Sequence, residues 1–149
     1  MTVTVVMPTV DGREASLERA IASFPPDCEI LTFRNLPTCG AAWVAGAEQA
    51  SGDYICFAAD DLEAHPGFCT AMCEAVDQDK LPAALVLEPN GSKQSCGGTG
   101  SDVCRGSCED WQPVEWSPTP FIHRDWWAWI KPHAEVLSLI AESTLETAQ

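Results

Sequence analysis

Two adjacent carboxylates, Asp60 and Asp61, follow the apolar run Tyr54-Ile-Cys-Phe-Ala, and Glu63 stands two positions further on. Acids at the carboxyl end of a buried strand are costly unless they are exposed, protonated or bound to a cation. Hard divalent cations take carboxylate oxygen, and a metal carrying a phosphate ligand is a common tenant of such a place. Ligands of open α/β sheets also sit outside the carboxyl ends of the strands. The first expectation is therefore an enzyme that binds a nucleotide or a phosphate. The competing reading is a solvated turn whose acids cap the next helix, with Glu63 as plain surface.

Two other groups of residues carry possible chemistry. Cys96, Cys104 and Cys108 cluster in a Gly/Ser-rich stretch, where zinc with Cys73 or His123 as fourth ligand competes with loop disulfides or free thiols. Structural zinc usually shows tighter Cys pairs than these. Trp111, Trp116, Trp126, Trp127 and Trp129 gather five of the six Trp near the end of the chain. Such a cluster suits stacking on a saccharide or, equally, a helix packed over a sheet. Trp126 shares a helical face with Trp129 or Ile130, so Trp127 and Trp116 are the expected exposed pair. Asp11 precedes Gly12 and reads as a turn residue, and Arg13 as a surface ion-pair partner or a phosphate contact.

The elements that must position these groups alternate. Thr2–Met7 reads as a strand ending in a turn at Pro8–Gly12. A helix capped by Ser16 follows, with Leu17, Ala20, Ile21 and Phe24 on one face and Pro25-Pro26 as its stop. Glu29–Phe33 is a second strand, Ala41–Ala50 a helix of small residues around Trp43, and Tyr54–Ala58 a third strand. His65-Pro66 is expected to open a helix with Pro at its first position. Cys69 and Cys73 fall on one face of it. Leu81–Glu88 is a fourth strand candidate, and 89–110 shows no periodicity. Phe121–Arg124 reads as a short strand, Asp125 starts a helix, Pro132 starts another, and the tail from Ser143 frays. This βα alternation predicts an α/β fold, a mainly parallel sheet with helices on both faces.

Length and charge narrow the options. At 149 residues the chain holds one domain, taken as 1–142. A net charge of −14 repels nucleic acid and anionic membrane over most of the surface. No apolar run approaches the roughly 20 residues of a membrane span. The opening Met-Thr-Val-Thr-Val-Val reads as a strand instead of a signal peptide, so the expected location is cytoplasmic. Cys28, Cys39, Cys56 and Cys69 lie singly among elements that look buried, where Cys behaves as a small hydrophobe.

The chain resembles a family 2 type glycosyltransferase of the GT-A fold. The residues that carry the likeness are Val3-Thr-Val-Val-Met-Pro-Thr, Leu17-Glu-Arg-Ala-Ile-Ala-Ser-Phe, the segment from Gly40 to Asp61, and Pro66-Gly-Phe; Phe121-Ile-His-Arg-Asp-Trp matches more loosely. The resemblance implies a UDP- or GDP-linked sugar as donor, an acceptor of unspecified kind, and Mn²⁺ or Mg²⁺ as cofactor. Pro8, Thr9, Asp11, Arg13, Asn35 and Gly40 would bind the nucleotide. Asp60 and Asp61 would hold the metal, with His123 or His133 to complete its shell, and the ion would stabilise charge on the leaving nucleoside diphosphate. Glu109, Asp110 and Glu115 are the candidate general bases by residue type, and Trp116 and Trp127 the acceptor platform. The resemblance leans towards inversion.

Three departures stand against this pattern. Ala59 occupies the place of the family's first acid, Arg34-Asn35 stands where an acidic base-reading turn is usual, and the link from Phe24 to Gly40 is short by about one strand–helix unit. The family's downstream base motif is also not evident. They leave room for a non-catalytic binding module of the same fold. A nucleotidyltransferase ranks last, because Thr9–Arg13 is a poor version of that group's Gly-rich basic loop.

Overall fold

Val3–Thr9 (β1) is buried along nearly its whole length, and that fixes the architecture around it. A strand covered on both faces needs layers on both sides, and its Val-rich composition reflects this. The computed structural model describes residues 2–78, 82, 86–87, 93–95, 98–99, 102–103 and 120–132. The strands are β1, β2 (Glu29–Arg34), β3 (Tyr54–Phe57), β4 (Val86–Leu87), β5 (Lys93–Ser95), β6 (Gly98–Thr99), β7 (Asp102–Val103) and β8 (Phe121–His123). The helices are α1 (Glu14–Ser23), α2 (Cys39–Gln49) and α3 (Phe68–Val76).

The main sheet runs β2-β1-β3-β8. β1 pairs in parallel with β2 and with β3, while β8 runs antiparallel to β3. The mainly parallel α/β sheet expected from the sequence is what forms. Among the described residues β2 is an edge strand, in keeping with the short link between Phe24 and Gly40. Strand order reverses at β1, since β2 lies on one side of it and β3 on the other. Ligands of open parallel sheets bind at such a switch point.

Alternation along the strands divides the core in two. Val3, Val5, Met7, Tyr54, Cys56 and Phe121 pack with Ala20 of α1, with Phe24 just after it, and with Cys69, Met72 and Cys73 of α3. On the other face Val6, Ile55, Phe57 and Ile122 meet Ala47, Trp43 and Val44 of α2 and Trp127. α2 lies close because its contact residues are small: a Cβ added at Gly46 would stand 2.2 Å from Val6 Cγ1.

Several boundaries differ from the sequence reading, each for a physical reason. β1 continues through Pro8 to Thr9, because its pairing with β3 ends at Val6 and the missing Pro8 N–H costs no ladder bond there. α1 starts at Glu14 with Arg13 at the cap position, and Ser16 does not cap it; the Ser16 hydroxyl donates to the Asp60 carbonyl at 2.8 Å. α3 starts at Phe68, after Gly67 in the left-handed region (φ 86°), so Pro66 lies in the preceding turn. Cys39 is exposed, whereas Cys56, Cys69 and Cys73 are buried, and these with Cys28 are free thiols.

The unpatterned stretch after 89 contains β5, β6 and β7, strands too short to show alternation; β4 pairs with β5 and β6 with β7, both antiparallel. Of the expected strand Leu81–Glu88, β4 is described as strand. A 3₁₀ turn, Arg124–Trp126, leads into helical residues 127–132; Pro132 is the last described residue of that run, and the rest of the helix expected from it lies outside the described residues. The tail from Ser143 lies outside the described residues, as do Cys96, Cys104 and Cys108. Among the described residues no helix is long and apolar enough to cross a membrane.

Candidate functional site

The carboxyl ends of β1 and β2 and the turn after β3 border one cleft of about 300 Å³, lined by Pro8, Thr9, Val10, Arg13, Phe33, Leu36, Pro37, Thr38, Cys39 and Asp60. That volume lies at the small end of ligand pockets. Its walls come from three sources. Pro8–Val10 end the central strand, Phe33–Cys39 link the edge strand to α2, and Asp60 enters from the far side of the switch point. Val10 and Leu36 stay 48% and 40% exposed, large apolar side chains at the rim of the cleft.

Asp60 is the most constrained acid here, with 6% of its surface exposed. The Thr9 hydroxyl donates to its Oδ2 at 2.7 Å. Arg13 Nε donates to both carboxylate oxygens at 3.0 and 2.9 Å, and Arg13 Nη2 reaches Oδ1 at 2.8 Å. The same Nη2 lies 3.0 Å from Asp61 Oδ2, whose side chain is 59% exposed. Hydrogen bonding to Asp60, then to Asp61, raises the Arg13 pKa above its ordinary value. Arg13 can reach both acids because it stands at the start of α1, directly across the switch point.

A second cluster caps the rim. Asn35 Nδ2 donates to Asp11 Oδ2 at 2.9 Å, and Arg34 Nη1 bridges Asp11 Oδ1 (3.0 Å) and Glu14 Oε1 (2.9 Å). The Asn35 hydrogen bond, then the one from Arg34, holds the Asp11 carboxyl below its usual range. Asn35 adopts φ 56°, a conformation Asn tolerates better than most residues.

Of the residues implicated by the sequence, Pro8, Thr9, Arg13 and Asp60 meet in the cleft. Asp61 joins them through Arg13, Asp11 and Asn35 bind each other beside it, and Gly40 sits in the first turn of α2 next to the lining Cys39. His123 is not brought to the acids. It pairs with Tyr54, the first residue of β3, so roughly 10 Å of strand separates it from the end that leads to Asp60.

Trp127 is core and not an exposed platform. It is 9% exposed, its ring lies 6.3 Å from that of Phe57, and its indole N–H donates to Glu48 at 2.6 Å. Trp126 and Ile130 pack against the same cluster, and Trp129 points outward at 77% exposure. Glu109, Asp110, Glu115, Trp116 and His133 lie outside the described residues. Sequence reasoning missed Val10, Phe33, Leu36, Pro37, Thr38 and Cys39 as lining; the signal available was the loop Asn35-Leu-Pro-Thr directly after β2.

The expected Mn²⁺ or Mg²⁺ does not fit the residues as they stand. Ala59 offers no ligand, Asp60 spends both oxygens on Thr9 and Arg13, and Asp61 is paired with the same guanidinium. Among the described residues no three His, Cys, Asp or Glu side chains converge as a cation would need.

A mainly parallel sheet with helices on both faces and a ligand-sized cleft at its switch point is an open α/β architecture, and its likeness to known proteins makes it a GT-A type fold. The structure superposes with a TM-score of 0.58 on the crystal structure of S. aureus TarS 1-349, at 14% identity, over 86% of this chain and 48% of that one. The chain thus spans about half of that protein's chain. Residues 8–87 match glycosyl transferase family 2, and the chain belongs to that family. No curated protein sequence matches it.

Proposed function

We propose that this domain binds a nucleotide-diphosphate sugar in the switch-point cleft and transfers the sugar to an acceptor. The observation that carries the reading is the position of the cleft, where the family's nucleotide half and its acid turn meet at the carboxyl ends of β1, β2 and β3. Phe33, Leu36, Pro37 and Val10 form an apolar wall suited to a base or ribose face. Thr9, Arg13 and Thr38 supply polar contacts on the remaining sides.

Transfer releases a nucleoside diphosphate and requires a base to take the acceptor hydroxyl's proton. Glu109, Asp110 and Glu115 are the proposed candidates. A UDP- or GDP-linked donor fits the family; the acceptor is a hydroxyl compound whose class the cleft does not define.

Titration of UDP and GDP by calorimetry tests the site. Leu36→Glu places a carboxylate at an exposed rim position and leaves the core alone. It should weaken binding about tenfold or more, the scale of one unfavourable charge contact in a partly desolvated site. Equal binding by wild type and Leu36→Glu would move the nucleotide elsewhere.

A binding module without turnover is the second reading, favoured by Ala59 and by the pairing of both acids with Arg13. Nucleotide binding with no release of UDP or GDP from a panel of nucleotide sugars would select it.

A further inference from the structure

Resting on the donor reading above, we propose that Arg13 is the resident cation of this cleft, and that the nucleotide diphosphate binds to its guanidinium with no divalent ion. The acid turn that should grip a metal is instead folded around a side chain of the same chain. Asp60, almost buried, receives Arg13 side-on through Nε and Nη2 at 2.8–3.0 Å, and Asp61 shares Nη2 at 3.0 Å. The arrangement is held from four directions. Thr9 fixes one carboxylate oxygen, Ser16 fastens the Asp60 carbonyl, α1 anchors the Arg13 backbone, and Asp61 closes the outer edge. A divalent ion bound to both acids would have to expel the guanidinium and break these charge-assisted bonds, which are the strong kind.

What remains of Arg13 faces a ligand. Its side chain is 40% exposed and lines the cleft, and among the described residues Nη1 has no partner. A guanidinium pre-oriented by carboxylates presents that free edge in a fixed plane, the geometry in which arginine recognises phosphate oxygens. The two ways of supplying positive charge make opposite demands on Asp61. As a metal ligand it would aid donor binding. Beside a guanidinium it is an exposed negative charge next to an anion, and it opposes binding.

The test is calorimetric titration of UDP and GDP into the whole chain, in EDTA and in Mn²⁺, with wild type, Asp61→Asn and Arg13→Gln. Wild type should bind equally in both buffers, to within about twofold. Asp61→Asn should bind a few-fold more tightly, as expected for removing a like charge at a solvent-screened distance. Arg13→Gln should bind at least roughly tenfold more weakly, the loss that accompanies a charge-assisted hydrogen bond. The wild-type and Asp61→Asn arms carry the test if Arg13→Gln fails to fold. Binding that requires Mn²⁺ and weakens in Asp61→Asn would overturn the proposal and leave the donor site standing. Binding of neither nucleotide in either buffer would overturn the donor reading and this inference with it.

Discussion

The clasp of Arg13 on Asp60 joins residues 47 positions apart and spends both oxygens of a carboxylate that a metal would otherwise use. Each partner was visible in the sequence, Asp60 as a candidate ligand and Arg13 as a lone cation in an acidic chain. Their pairing was not, because residue type encodes charge but not which distant charge it will meet. Glu29 shows the same effect on a smaller scale. Its Oε2 accepts from the Thr4 hydroxyl at 2.5 Å and from the Ser51 backbone N–H at 2.9 Å, tying the start of β2 to β1 and to the turn before β3. The Thr4 bond first, then the Ser51 bond, lowers the Glu29 pKa from its ordinary 4.5. A depressed carboxylate stabilises the fold fully above its unfolded value and loses that contribution as pH falls through its folded value. Glu29→Gln should therefore lower the urea midpoint at pH 7, with the gap to wild type narrowing as pH falls below 4.5. A gap that stays unchanged throughout acid titration would mean that the charge of Glu29 contributes nothing.

Among the elements, α2 depends most on what it lacks. Ala42, Gly46 and Ala47 are buried against the sheet, and the methyl of an alanine at Gly46 would lie 2.2 and 2.7 Å from the Cγ atoms of Val6, which has no room to retreat. Gly46→Ala gains helix propensity but overpacks the core, at a cost of about 1–3 kcal/mol. Denaturant melts should show a lower midpoint; an unchanged one would show that α2 sits further from β1. The sequence announced α2 through its run of small residues, and β1 and β3 through apolar runs. It misjudged the ends of elements, where one contact decides: Ser16 bonds Asp60 instead of capping α1, and Gly67 in place of Pro66 precedes α3. In the C-terminal segment Trp126 and Ile130 pack on the core as their i, i+4 spacing implies, whereas Trp127, expected to be exposed, is buried beside them.

The whole chain carries a charge of −14, and the proposed ligand of its cleft is an anion. At the carboxyl end of the sheet Asp11, Glu14, Asp60 and Asp61 are set, among the described residues, against Arg13 and Arg34. Long-range repulsion then slows nucleotide encounter, and salt relieves it. Raising ionic strength from about 0.01 M to 0.15 M shortens the Debye length from roughly 30 to 8 Å, so the association rate of UDP should rise severalfold. Stopped-flow measurement of Trp fluorescence checks this. A rate that falls with salt would show that the field at the cleft mouth is positive and that Arg13 and Arg34 dominate it.

The sequence by itself determined the layers, the mainly parallel sheet and the place of the acid turn. Burial and strand or helix periodicity are written in residues close together along the chain, and the resemblance from β1 to the acid turn is carried by the same local patterns. Only the tertiary structure decided that Arg13 occupies that turn, that His123 stands at the opposite end of β3, and that Trp127 faces the sheet. Those facts depend on strand order, on the antiparallel direction of β8 and on the packing of the segment that follows it. Each is set by contacts between segments far apart in the chain, which no local pattern specifies.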